Sequence, residues 1–454
     1  MVVTGRFVAL VALGAPVVVL TTVTAVPGAL GAAAITTAWW SLAGWLGFAI
    51  LIAAIDALAA ALPRQVAVTR DLPPRVRLGE PVSAALIIEN LGRRRLRAVV
   101  RDGWQPSAGV RGTNRTRLDI GRGERRRAIL NLVPTRRGDR ITEHVTLRSV
   151  GPLGIAGRQA TIVAHGRVRV LPPFKSRVHL PSRLARLREI EGRTPLLIRG
   201  QGTEFDSIRE YVRGDDVRSI DWRVTARHPD PSVPQGTKLM VRTWRPERDR
   251  RIVIVIDTSR TAAVRIGDEP RLDTGFEAAL LLAALADRAG DRVDILAWDR
   301  RMRAQVHGAS GAELLAQTVD RLANVEAELI EPDWSALPGR LRAITSQHAF
   351  VVLLTAADSA ASGRGLLSVL PQLTPRHTVA VASVADPEEV DASRQRNSLA
   401  EVYRAAAAER ALLDQHRVGD AIRQLGASVV VGTPAGLPPA LADHYLALKA
   451  AGRL

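Results

Sequence analysis

Arg250-Arg251-Ile252-Val253-Ile254-Val255-Ile256-Asp257-Thr258-Ser259-Arg260-Thr261 is the stretch on which the fold turns. Its unbroken run of β-branched aliphatics shows no period of two, so both faces of the strand it forms are expected to be buried. That is the pattern of a central strand in a parallel sheet with helices on either side. The run ends on Asp257, with hydroxyls following at Ser259 and Thr261. In open α/β sheets ligands gather at the carboxyl ends of strands, where the strand order reverses. An acid and two hydroxyls at i, i+2 and i+4 offer hard oxygen ligands there to Mg²⁺ or another divalent cation. Asp-x-Ser-x-Thr alone is a weak motif, because Asp and Ser are common in turns; the strand in front gives it context.

Downstream the α/β pattern is regular. A helix is expected over 272–289, a strand over 292–298, a short strand over 303–306 and a helix over 312–322. Asp333 is placed to N-cap a helix running to Ile344. Phe350 to Thr355 reads as another buried strand, ending at Ala356-Ala357-Asp358, and His377 to Ser383 as a third. A helix over 399–425, a strand over 428–431 and a last helix from Pro438 complete a doubly wound sheet of about six strands over 250–454.

Upstream the chain changes character twice. Residues 7–26 carry no charged side chain and are long enough to cross a bilayer, and a second apolar run covers 33–62. Trp39, Trp40 and Trp45 lie near the start of that run as interfacial anchors. Arg6, Arg64 and Arg70 flank the pair of spans, while the turn between them has no Lys or Arg. The positive-inside rule then puts both termini and the soluble domains in the cytoplasm. Asp56 lies inside the second span with no partner evident from the sequence. Residues 64–172 turn to short alternating strands such as Val82–Asn90, 128–133 and 142–147, the spacing of a small antiparallel β-sandwich. Residues 173–249 form a linker and a charged segment in which Glu204, Arg209, Asp215, Arg218 and Asp221 alternate in sign; they are expected to pair at a domain junction.

Composition narrows the function classes. The 454-residue chain has no cysteine, which removes disulfides and Cys-based zinc or redox sites. Its net charge of +18 is uneven: residues 64–250 hold 40 Arg/Lys against 19 Asp/Glu, whereas residues 251–454 hold 22 against 25. A basic half next to a membrane hairpin suits anionic lipid headgroups. Aromatics are 4% and do not interleave with the arginines, so stacking on nucleic-acid bases is not expected.

The order Gly200-Gln201-Gly202-Thr203-Glu204-Phe205…Arg209-x-Tyr211-x-x-Gly214-Asp215-x-x-Arg218-x-Ile220-Asp221-Trp222…Ala226-Arg227 resembles the signature of the bacterial "domain of unknown function 58" proteins. The hairpin and the β-rich segment before it fit that family's layout. The resemblance implies a von Willebrand factor A-like α/β domain and placement in the bacterial inner membrane. It also implies a role beside a MoxR-type AAA+ ATPase in chaperone or complex assembly. Carried over residue by residue, a metal-ion-dependent adhesion site would take Asp257, Ser259 and Thr261, with Asp358 as the distal acid and Asp333 where the family pattern has a threonine. The expected function is therefore a non-enzymatic interaction or assembly protein, with no small-molecule substrate and no nucleic acid. The alternative is a Mg²⁺-dependent hydrolase using Asp257, Asp333 and Asp358. Against it, no histidine lies near these acids in sequence and no nucleophile elbow is present; His228, His307 and His348 are isolated.

Overall fold

The computed structural model describes residues 2–25, 32–193, 204–213, 215–227, 237–245, 250–358 and 360–454. The chain divides into two compact units, Met1–Leu171 and Pro172–Leu454.

In the first unit, the helical stretches Gly5–Thr24 and Ala33–Gln65 are long and apolar enough to cross a membrane. The first is not one uninterrupted helix: Gly5–Ala12 and Gly14–Ala25 meet at Leu13. At that break the two runs come close. A Cβ on Gly14 would lie 2.2 Å from Trp45 Cδ1, and Trp45 Nε1 donates to the Leu10 carbonyl at 3.1 Å. Trp45 is thus a packing residue between helices rather than an interfacial anchor, whereas Trp39 and Trp40 are exposed. The strands that follow form two sheets. One has Val66–Asp71, Val82–Asn90, Arg125–Leu132 and Val110–Arg111 in that order; the other is built on Ala156–Leu171, Gly138–Val150, Leu96–Asp102 and Arg115–Ile120. Alternate residues of both sheets, among them Leu86, Ile88, Leu96, Val100, Ile120 and Leu147, bury into one core.

Arg70 is not a flanking charge, as the sequence suggested. Its guanidinium lies inside the sandwich, bidentate to Asp102 at 2.8 Å, and Trp104 Nε1 donates to the same carboxylate at 2.8 Å. The carbonyls at the end of the second apolar helix are met by other arginines instead. Arg158 Nε donates to Ala57 O at 2.8 Å and Arg94 to Leu58 O. Asp56, unassigned from sequence, accepts from the backbone N–H groups of Leu153 and Ile155 at 2.8 Å and of Ala156 at 2.9 Å.

The second unit is organised by a six-stranded sheet in the order Met302–Val306, Arg292–Trp298, Arg251–Asp257, Ala349–Leu354, Thr378–Val384, Ser428–Gly432. All neighbours are parallel except the edge strand Met302–Val306. The central run buries both faces because its alternate residues serve two cores. Ile252, Ile254 and Ile256 pack with the helices Arg271–Arg288 and Leu437–Ala450 on one side. Val253 and Val255 pack with residues of Leu337–Ile344, Ala360–Leu373 and Leu399–Gln424 on the other. The chain passes from Arg251–Asp257 to a neighbour on one side and then crosses back to Ala349–Leu354 on the other. The strand order therefore reverses at Asp257.

Two expectations change. The helix after Asp333 begins only at Leu337, with Ala336 at its N-cap. The helix Ala360–Leu373 was not read from the sequence; its glycines and the internal Pro371 hide its period.

Candidate functional site

Asp257 ends the central strand and is 2% exposed. Its Oδ1 accepts from Ser259 N at 2.8 Å, and its Oδ2 accepts from Thr261 Oγ1 at 2.8 Å and Thr355 Oγ1 at 2.6 Å. The Ser259 and Thr261 hydroxyls lie 3.0 Å apart. The Asp-x-Ser-x-Thr element is therefore one hydrogen-bonded knot, closed by a threonine from the adjoining strand end. Register explains the third hydroxyl: Ile256 pairs with Leu354, which sets Thr355 beside Asp257.

The two other acids have partners of their own. Asp333 Oδ1 accepts from Ser335 N at 3.1 Å and Ser335 Oγ at 2.6 Å, the turn that precedes the helix and not its cap. Asp358 pairs with Arg271, Nη2 to Oδ2 2.9 Å, and Arg271 Nη1 donates to the Thr261 carbonyl at 3.3 Å. Among the described residues no three acidic or imidazole side chains come together as a metal group. The expected convergence of Asp257, Asp333 and Asp358 is not what the structure builds, because each acid already has a neighbour of its own. The carboxylate of Asp257 thus holds three hydroxyl and amide donors, and the buried Arg271 side chain lines the same small cavity.

Other residues at this edge escaped the sequence reading. Asp299, fully buried, accepts from the N–H groups of Arg300 and Arg301 at 2.6 and 3.0 Å and from Thr258 Oγ1 at 3.1 Å, and it pairs with Arg303. Burial pushes its carboxyl up, but Arg303 and these N–H and O–H donors together outweigh it and hold Asp299 below the usual carboxylate range. Glu389 goes the other way: burial, then the charges of Asp386 and Asp358, raise it, with Arg271 opposing. A cavity of about 20 Å³, room for a single water, is lined by Asp257, Arg271, Leu272, Gly275 and Thr355. Of the histidines, His307 contacts Asp294 at 2.6 Å and His348 contacts Thr378 at 3.3 Å, both away from this edge, while His228 lies outside the described residues.

The signature segment is a second feature. Glu204–Glu210 pairs antiparallel with Met240–Arg245, setting Glu204 opposite Arg245 and Phe205 opposite Trp244. Gly202 and Gly214 lie outside the described residues. Tyr211 continues the ribbon through its N–H to Leu239 O at 2.7 Å. Asp215 ties the turn, accepting from Arg209 at 2.7 Å and from Val212 N at 2.9 Å. Asp221 N-caps the short helix Trp222–Thr225 through Arg223 N and Val224 N, and Arg242 Nε reaches its other oxygen at 2.7 Å. The Val224 N–H first and Arg242 second hold the Asp221 carboxyl low. The Arg209–Asp215 and Arg242–Asp221 ion pairs both close within residues 204–245 and so fold the segment on itself. The clamped segment exposes Trp222 (66%), Val212 and Val217, with Arg213, Arg218 and Arg223 and the acids Glu210 and Asp216 also exposed.

Residues 207–402 match the model of a family described as "Protein of unknown function DUF58". The matched stretch takes in most of the ribbon, its clamped turn and all of the sheet except the last strand. Uncharacterized proteins of Mycobacterium tuberculosis and Mycobacterium bovis are each 25% identical to this chain over 198 residues, 43% of this chain and 59% of theirs. The chain thus aligns with somewhat over half the length of those relatives. Among solved structures, a CARDB domain from Pyrococcus furiosus is similar over 23% of this chain and 94% of its own, at 17% identity and a TM-score of 0.18. Trypsin-activated alpha-2-macroglobulin from Escherichia coli is similar over 85% of this chain and 24% of its own, at 11% identity and a TM-score of 0.21. Likeness at that level says nothing of activity.

Proposed function

We propose that this chain is a membrane-anchored interaction protein of the cytoplasmic face. It would present a von Willebrand factor A-like α/β domain and its signature ribbon to a protein partner, a MoxR-type AAA+ ATPase. The observation that carries the reading is Trp222. A tryptophan left two-thirds in water forgoes a large hydrophobic gain, and it sits on a turn that Asp221 and Asp215 hold in one shape. Tryptophan and arginine are the side chains enriched where interfaces concentrate their energy, and here Arg213, Arg218 and Arg223 surround the ring in sequence. A rigid loop presenting such a set loses little entropy on docking.

The test uses the full chain in detergent micelles and the purified ATPase, with and without ATP. Trp222→Ala should weaken binding about 30-fold, the ~2 kcal/mol of a hot-spot truncation, and leave melting unchanged because the side chain is exposed. Equal affinity for parent and variant would remove the ribbon from the interface.

A further inference from the structure

The strand-end edge already contains a positive charge supplied by the protein. Arg271 opens the helix Arg271–Arg288 at the carboxyl end of the central strand, and its side chain is 9% exposed. One guanidinium nitrogen lies 2.9 Å from Asp358 Oδ2 and another donates to the carbonyl of Thr261, a residue of the Asp-x-Ser-x-Thr knot. Its Nε is buried and meets no acceptor among the described residues. The same side chain lines the small cavity that Asp257 and Thr355 line. An arginine is charged at every accessible pH, and a buried one persists only where carboxylates and carbonyls compensate it.

We propose that Arg271 stands in for the divalent cation at this strand end, neutralising Asp358 and holding the Thr261 carbonyl, so that the Asp257–Ser259–Thr261 site is assembled without a metal ion. Three observations converge on this. The distal acid Asp358, which would serve a cation, is spent on the guanidinium. Asp333, the remaining acid, is turned onto Ser335. Asp257 already holds three donors, and a second, doubly positive centre beside a buried guanidinium would face like-charge repulsion in a low-dielectric setting. The raised carboxyl of Glu389 fits the same account: acids crowd this edge, and Arg271 is the charge that opposes them. If the partner of the proposed function also touches this edge, its acid finds no open coordination position there and capture ignores chelators.

The test needs no partner, so its failure and a failure of the binding reading are separate results. The full chain in detergent micelles is titrated with Mn²⁺ and with Tb³⁺. Trp298, the register partner of Asp257, is placed to sensitise Tb³⁺ emission. The parent should show no saturable binding that Asp257→Ala removes, and should melt alike in Mg²⁺ and in chelator. Arg271→Ala should gain one saturable Mn²⁺ site, lost again in the Arg271→Ala/Asp358→Ala double variant, and should melt higher with Mn²⁺ than without. Arg271→Lys keeps the charge and should stay indifferent to cations. Should Arg271→Ala not fold, Arg271→Gln, which keeps a donor toward the Thr261 carbonyl, is read the same way. A parent that binds Mn²⁺ through Asp257, or a folded, uncharged variant at 271 that gains no site, overturns the proposal.

Discussion

Asp56 is the sharpest point at which to perturb the first unit. Its carboxylate lies within an apolar helix, is 1% exposed, and accepts three backbone N–H groups from the turn at Leu153, Ile155 and Ala156 at 2.8–2.9 Å. The fit is tight: a Cβ on Gly151 would lie 2.3 Å from both the Asp56 carbonyl and Oδ1. Asp56→Ala leaves up to three N–H donors without an acceptor. Hydrogen bonds to a charged group are worth about 1.5–3 kcal/mol each, and water entering the space recovers part, so the net cost is about 3–5 kcal/mol. Hydrogen exchange of a peptide spanning 150–157, in the full chain in micelles, reads this locally. At 1.4 kcal/mol per factor of ten, exchange should rise about 10²- to 4 × 10³-fold in the variant. Asp56→Asn keeps one acceptor oxygen and should fall between. Exchange within about threefold of the parent would mean that the turn is held by the sheet alone and that the carboxylate is incidental.

Two further outcomes follow from side-chain contacts and a third from the assigned topology. Glu277 accepts from Lys175 N, Ser176 N and Ser176 Oγ at 2.7–2.9 Å, holding the 3-10 turn Lys175–His179 on the helix Arg271–Arg288. Glu277→Ala should cost about 2–4 kcal/mol in chemical unfolding, and an unchanged midpoint would place the turn's stability elsewhere. Asp299 is held below its ordinary range, so its stabilising share is full above the unfolded value of about 4 and lost as pH falls through the lower folded one. Asp299→Asn should flatten the acid limb of the stability curve, and an acid limb identical to the parent's would refute that. An alkaline phosphatase fused after Leu454 should be inactive in the periplasmic assay; activity would invert the assigned topology.

The sheet was legible because burial on both faces writes continuous apolar runs. Arg292–Trp298 agrees to the residue, and Ala349–Leu354 and Thr378–Val384 within one or two positions. The strand-end knot was legible only in part. Asp257, Ser259 and Thr261 are close in sequence and share one turn, so a local motif finds them. Thr355, Asp299 and Arg271 reach the same edge from other strands and helices, and only the sheet register brings them in. Thr355 is the last residue of the strand the sequence predicts, and setting that strand end level with Asp257 would have brought its hydroxyl to the site. Arg271 carries only a faint signal, a basic residue at a helix start where the helix dipole disfavours it, and that alone names no partner. Asp333 misled because an acid before a helical stretch looks like a cap, while the bond it makes is to Ser335, before the helix begins. Asp56 was visible only as an anomaly; its meaning lies about a hundred residues away, in a turn.

The proposed function depends most on the clamped, exposed ribbon being a docking surface. Replacing Trp222 by a photo-crosslinking phenylalanine analogue in the intact membrane, with the same analogue at exposed Leu329 as a control, tests this in place. The account predicts a discrete crosslink from position 222 to a AAA+ ATPase that position 329 does not give. The same faint pattern from both positions, or no crosslink at 222 under conditions where other exposed sites react, would contradict it.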